Sequence, residues 1–222
     1  MADFHLLRVF CDEAGRGGNP LAVFLEGDQV PSERRQAVAA ELGLSETVFV
    51  ENRQRGELRI FTPTVELEFA GHPTVGTAWL LRECGVEPRA LRTLAGELAV
   101  RYQGAAAFVA GRPEWAPDFE LCQLASPEAV DALQGPPDGR DLVDTWAWID
   151  ERAGVLRARV FPPRLGIAED EATGAAAVRL CAALRRPLDV RQGRGSRILA
   201  QPLADGRIEI GGLAALDELR EL

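Results

Sequence analysis

The chain contains an approximate internal repeat, and this repeat limits the architectures that it can adopt. Residues 59–63 read RIFTP and are followed by GHPTVGTA at 71–78, whereas residues 159–163 read RVFPP and are followed by DEATGAA at 170–176. Each copy predicts a strand, a short connection and a helix that opens with small residues. Two such lobes would face each other across a cleft between two helix N-termini, a geometry that suits a bound small molecule.

The order of the remaining elements predicts an α+β fold. Strands outnumber helices without regular βαβ alternation, which favours two pseudo-symmetric lobes, each with mainly antiparallel, barrel-like sheet around one helix. We expect these central helices at residues 74–83 and 172–186, and a third helix at 33–42 with Ser32 as its N-cap. The stretch 111–139 holds five prolines and predicts a loop around one short helix at 127–133. We assign residues 1–104 to an N-terminal lobe and 105–222 to a shortened C-terminal lobe.

The basic residues exclude several kinds of chemistry. All 25 are arginine, so the chain cannot form a lysine Schiff base with pyridoxal phosphate or a carbonyl substrate, and it lacks the lysine of a P-loop. The net charge of -9 argues against nucleic acid and against an anionic membrane as partners.

The cysteine and histidine content indicates a reduced protein without a histidine-based zinc site. The four cysteines are widely spaced, and no secretory signal or membrane-spanning apolar run is evident, which favours a cytoplasmic location. Two histidines do not favour a histidine-based zinc site. We therefore expect no metal site, and the cleft predicted from the repeat makes a small molecule the expected partner.

The two strand-to-helix junctions are the candidate site. At the first, Gly71 would let a ligand approach the backbone, and the free N–H groups of the following helix could hold a carboxylate. Thr173, Gly174 and Ala175 repeat this pattern in the second copy. Small residues also allow tight helix packing, and for one junction alone that reading is the better one. Two junctions at matching places favour a ligand site.

His72 and Asp170 occupy matching positions if the repeat is aligned with a two-residue gap. A histidine at a helix N-terminus is biased towards the neutral imidazole, and with an aspartate it could handle a proton or orient a substrate. Asp170 could equally be the N-cap of its helix. By spacing alone Glu46 is a surface residue. The glycine-rich stretch 192–197 predicts a loop, whose N–H groups could contact an anion.

Several motifs together resemble the PhzF family of phenazine-biosynthesis-like proteins, which have a diaminopimelate-epimerase-like fold. They are GNPLAV at 18–23, LSETVF at 44–49, RIFTP at 59–63, FAGHPT at 69–74, RVF at 159–161 and EDEATG at 169–174. The resemblance implies a cofactor-free isomerase that forms a homodimer and acts on a small carboxylated metabolite.

The resemblance also assigns roles to residues. It makes Glu46 the general acid/base and places His72 and Asp170 in the cleft as the other catalytic residues. The substrate-binding residues that follow from it and from the two junctions are Asn19, Gly71, Thr173, Gly174 and Ala175.

Two departures from the family pattern leave other functions open. Glu171 stands where the family usually has proline, and Ala175 where it usually has serine. The lost hydroxyl and the shortened lobe are compatible with a metabolite-binding or dimeric protein of low or no activity. An epimerase or racemase would need a second base, which only Asp170 or Glu169 could supply, because neither junction carries a cysteine.

Overall fold

The computed structural model describes residues 2–222, which form one continuous sheet of 14 strands with four α-helices. The helices are α1 (Ser32–Leu42), α2 (Gly71–Glu83), α3 (Pro127–Asp131) and α4 (Gly174–Leu184). The strands of the first half are β1 (Asp3–Cys11), β2 (Asn19–Phe24), β3 (Glu46–Asn52), β4 (Glu57–Phe61), β5 (Glu66–Leu67), β6 (Ala90–Thr93), β7 (Gly96–Gln103) and β8 (Ala106–Gly111). The second half contains β9 (Glu120–Gln123), β10 (Val143–Asp150), β11 (Val155–Phe161), β12 (Leu188–Gln192), β13 (Ser196–Pro202) and β14 (Ile208–Glu221).

Eight strands close into a barrel in the order β1-β2-β3-β4-β6-β7-β8-β14. The long strand β14 closes it, because its first part pairs with β8 and its later part pairs with β1. Helix α2 is buried along most of its length. A Cβ at Gly76 would lie only 2.5 Å from Val9 Cγ2, so small residues are needed here for tight packing.

The second half repeats the strand pairings of the first. The antiparallel pair β3–β4 corresponds to β10–β11, and each pair is flanked by a parallel neighbour, β2 in one case and β9 in the other. Helices α2 and α4 each connect a parallel pair, β4–β6 and β11–β12. The predicted α+β architecture with two pseudo-symmetric units is therefore confirmed.

Some predicted boundaries were wrong. Helix α2 begins at Gly71, three residues before the predicted start, and Pro31 rather than Ser32 occupies the N-cap position of α1. The proline-rich stretch also contains β9, a four-residue strand that has no alternating pattern of its own and is fixed by pairing with β10. The predicted lobe boundary at residues 104/105 lies in the turn between β7 and β8, and it remains a prediction.

None of the helices in residues 2–222 has the length and apolar character that a membrane span requires.

One buried carboxyl lies in the core of the second half. Asp144 on β10 is directly opposite Val160 on β11, so the two side chains share one face of the sheet. That face packs against apolar side chains, and Asp144 Oδ1 has no hydrogen-bond partner within residues 2–222. The corresponding pair in the first half is Val48 and Ile60. Burial raises the pKa of Asp144 to about 7.

This raised pKa predicts that Asp144→Asn stabilises the protein only above acidic pH. Below about pH 4 the carboxyl is neutral in both states, whereas between about pH 4 and 7 the unfolded chain ionises and the folded chain must stay protonated. Wild-type stability is therefore lost over this window. We expect the variant to gain on the order of 2–4 kcal/mol in unfolding free energy at pH 8, and little at pH 4.

Urea unfolding at several pH values measures this difference. The control is Asp3→Asn, which removes an exposed carboxylate from β1. If the stability difference between Asp144→Asn and the wild type did not change with pH, the raised pKa of Asp144 would be contradicted.

Candidate active site

The N-termini of α2 and α4 touch each other at two glycines. A Cβ at Gly71 would lie 2.9 Å from Gly174 Cα, and a Cβ at Gly174 would lie 3.1 Å from Gly71 Cα. The absent side chain at Gly71 thus makes room for the second helix, and a role of Gly71 in binding substrate stays a prediction. Because both helices point their N-termini at one place, their partial positive charges add there.

Glu46 lies beside this junction and is not a surface residue. It begins β3, which runs parallel to β2, and only 16% of its side chain is exposed. Its Oε2 atom lies 3.4 Å from Nε2 of His72. His72 is in the first turn of α2, and its side chain is 5% exposed. Neither of these two atoms has a hydrogen-bond partner among residues 2–222. Such a pair of buried, unpartnered polar atoms is costly to stability and is typical of a functional site.

Burial moves the pKa values of both groups towards their neutral forms. It raises the pKa of Glu46 to about 7, against the opposing effect of the neighbouring Ser45 side chain. It lowers the pKa of His72 to about 4, against the opposing effects of Asp170 and the Pro20 backbone. At neutral pH the imidazole is uncharged, and the carboxyl is close to half ionised.

Asp170 completes the cluster from the second half of the chain. Its pKa is raised by burial and by the nearby Glu46, while His72 and two hydrogen bonds lower it. The Asn19 side-chain amide donates to Asp170 Oδ1 at 2.7 Å, and the Thr173 hydroxyl donates to Oδ2 at 2.6 Å. Asp170 is not the N-cap of α4; Thr173 occupies that position. The aspartate instead joins the two halves of the molecule.

Gln192 supports this arrangement and was missed from sequence. Its side-chain oxygen accepts from the Thr173 N–H at 3.1 Å. Its side-chain nitrogen donates to the Asp170 carbonyl at 2.8 Å and to the Thr173 hydroxyl at 2.9 Å. Gln192 is 2% exposed and is the last residue of β12. A polar residue at the end of a buried strand is the sequence signal that could have identified it.

The N-terminus of α4 offers hydrogen-bond donors next to the cluster. The Ala177 N–H donates to the Thr173 carbonyl and starts the helical pattern, so the N–H groups of Gly174, Ala175 and Ala176 precede it. Such groups bind carboxylates and other anions. The cluster therefore combines a titratable carboxyl, a neutral imidazole and an anion-binding helix end, which is a set suited to proton transfer on a small acid.

The fold identifies the class of protein to which the chain belongs. The structure resembles a phenazine biosynthesis protein of the PhzF family from Bacillus anthracis, with a TM-score of 0.81, 19% sequence identity and coverage of 100% of this chain and 98% of that one. At this identity the likeness shows the fold, which is diaminopimelate-epimerase-like.

The family follows from sequence. Residues 7–125, more than half of the chain, match the family model of the phenazine biosynthesis-like proteins. A trans-2,3-dihydro-3-hydroxyanthranilate isomerase from Pseudomonas fluorescens is 34% identical over 248 aligned positions, covering 86% of this chain and 87% of that enzyme. The chain thus belongs to the phenazine biosynthesis-like family, and it is an isomerase of small molecules.

Another relative matches a shorter part of the chain. An uncharacterized isomerase from Pasteurella multocida is 49% identical over 84 residues, which is 36% of this chain and 29% of that protein. The alignment with the Pseudomonas fluorescens enzyme has more positions than this chain has residues, so it contains gaps in this chain. Segments of that enzyme are therefore absent here.

The glycine contact predicts that Gly174→Ala destabilises the protein and disturbs the site. The added methyl group would meet Ile210 Cδ1 at 3.0 Å, Gly71 Cα at 3.1 Å and the backbone nitrogen of His72 at 3.2 Å, so the two helices must separate. We expect a loss of about 1–3 kcal/mol in unfolding free energy, measured by urea titration.

Gly135→Ala is the matched control, because a Cβ at that position meets no atom within 4 Å. Equal stability of the two alanine variants would show that the helix ends are not in close contact.

Proposed function

We propose that the chain is a cofactor-independent isomerase that moves a proton on a small carboxylated metabolite, with Glu46 as its general acid/base. The observation that carries this proposal is the buried pair formed by Glu46 Oε2 and His72 Nε2, 3.4 Å apart and both without a hydrogen-bond partner within the described residues 2–222. A substrate that contacts both atoms from the same side would supply the missing hydrogen bonds.

A single carboxyl is sufficient for this reaction. Ionised Glu46 removes a proton from one carbon of the substrate, and the electron pair shifts along a conjugated system. The protonated Glu46 then returns the proton to a different carbon, so the proton is conserved and the double bond has moved. A pKa of about 7 suits both halves of the cycle, because each form of the carboxyl is accessible at neutral pH.

The other groups hold the substrate in place. Neutral His72 can donate to a substrate carboxylate, and it can donate to or accept from a substrate hydroxyl. Asp170, fixed by Asn19 and Thr173, orients the substrate from the opposite half of the chain. The N–H groups of Gly174 and Ala175 bind its carboxylate.

The first compound to test is trans-2,3-dihydro-3-hydroxyanthranilate, the substrate in the name of the Pseudomonas relatives. Its carboxylate suits the free N–H groups at the start of α4. Ala175 contributes only its backbone here, so close analogues belong in the same assay. The cytoplasmic location and the homodimer expected from the resemblance remain predictions, and gel filtration with light scattering tests the second.

Glu46→Gln should abolish proton exchange while preserving the fold. Glutamine keeps the size of the side chain but cannot accept the proton, so we expect the rate of isomerisation to fall by at least about 100-fold. The measurement is isomerisation in deuterium oxide, with deuterium uptake by the compound followed by NMR.

Glu41→Gln on the exposed surface of α1 is the control and should match the wild type. If the compound took up deuterium at the wild-type rate in the presence of the Glu46→Gln variant, Glu46 would be excluded as the acid/base. Binding of the compound without turnover, unaffected by Glu46→Gln, would favour a metabolite-binding protein.

The raised pKa of Glu46 predicts a pH dependence. The base form is needed for the first proton removal, and burial raises the pKa of Glu46 to about 7. We expect kcat/KM to fall about tenfold for each pH unit below 7 and to level off above it. An ordinary glutamate would leave kcat/KM constant between pH 6 and 8, and that profile would contradict burial of Glu46 in the free enzyme.

A further inference from the structure

Glu171 takes part in a series of hydrogen bonds that joins the two halves of the molecule. The Gly18 N–H donates to Ser196 Oγ at 2.8 Å, and the Ser196 hydroxyl donates to Glu171 Oε1 at 2.8 Å. The Arg194 N–H donates to the same carboxylate oxygen at 2.6 Å. The anion contact considered for residues 192–197 is therefore made by a carboxylate of the chain itself.

The two turns that carry these groups are pressed together. A Cβ at Gly17 would lie 2.5 Å from the backbone nitrogen of Ser196, and a Cβ at Gly193 would lie 2.2 Å from the Glu171 carboxylate. Both glycines have positive φ, 66° and 55°. The turns and the carboxylate thus fill the available space, and this contact depends on glycine at both positions.

The groups at the two ends of this series of hydrogen bonds determine which atoms donate and which accept. The Gly18 N–H can only donate, so Ser196 Oγ must accept from it. The single hydroxyl proton of Ser196 is then free for Glu171, which as a carboxylate accepts hydrogen bonds strongly. Ser196 is 2% exposed, so water competes little for these groups.

The residues joined in this way are the immediate neighbours of the site. Gly18 precedes Asn19, and Glu171 follows Asp170, while the Asn19 amide donates to Asp170 Oδ1. Two parallel connections therefore link the same two segments, one inside the site and one directly behind it.

We propose that Glu171 is a positioning residue, which acts through Ser196 and Gly18 to hold Asn19 against Asp170 and to keep the two halves closed over the substrate. This role rests on the proposed function of the site.

The structural test needs no substrate. Glu171→Ala should increase the exchange rate of the Gly18 amide at least about tenfold and shift the NMR signals of the Asn19 side-chain amide, and Ser196→Ala should do the same. Amides of β3, such as that of Val48, report whether the barrel remains folded. Unchanged Gly18 exchange and Asn19 signals in a folded Glu171→Ala variant would overturn the proposal.

The functional test separates positioning from general stability. We expect Glu171→Ala to lower kcat/KM for trans-2,3-dihydro-3-hydroxyanthranilate about tenfold, mainly through a higher KM. Glu171→Gln, which keeps an acceptor oxygen, should recover most of this loss. The control is again Glu41→Gln on the exposed surface of α1, which should leave KM within about twofold.

The outcomes distinguish this proposal from the proposed function. Faster Gly18 exchange together with unchanged kcat/KM would overturn the positioning role while leaving Glu46 as the acid/base. If the wild type converts no substrate, the proposed function fails, and the exchange and NMR measurements still decide whether Glu171 holds the two segments together.

Discussion

The contact between the N-termini of α2 and α4 is the constraint on which the rest of the structure depends. With glycine at positions 71 and 174, the two helices meet almost backbone to backbone. This approach brings His72 from the first half and Thr173 from the second to one place and directs both helix ends at it. Strand β14 has a related role, because it pairs with both halves of the sheet and fixes their relative placement.

The site keeps polar groups in a state that folding alone does not favour. Glu46 and His72 are buried without a mutual hydrogen bond, and burial shifts the pKa of each towards the neutral form. Leaving such atoms unpartnered costs about 1–3 kcal/mol each. In contrast, each carboxylate oxygen of Asp170 accepts a hydrogen bond. Under the proposed function, the network is therefore fixed around Asp170 and unsatisfied at the two atoms that would contact the substrate.

The fold of this chain was more predictable from its sequence than the details of the site were. The repeat paired His72 with Asp170, and the structure brings both beside Glu46, as the effects of Glu46 and His72 on the Asp170 pKa indicate. Glu46 was recognised only through family resemblance, because its own spacing is that of a surface residue. Gln192 and Glu171 were missed as supporting residues, since each acts on a segment about 20 residues away in sequence.

The repeat, the order of strands and helices and the absence of lysine chemistry follow from local pattern and composition, so they can be read from the amino-acid sequence alone. The burial of Glu46 and the contact of Gly71 with another helix became evident only in the folded molecule. The tertiary structure also placed the Glu171 carboxylate on the Arg194 N–H and the Ser196 hydroxyl. Burial and contact are properties of segments distant in the chain, and a local pattern carries no information about which distant atoms will surround a side chain.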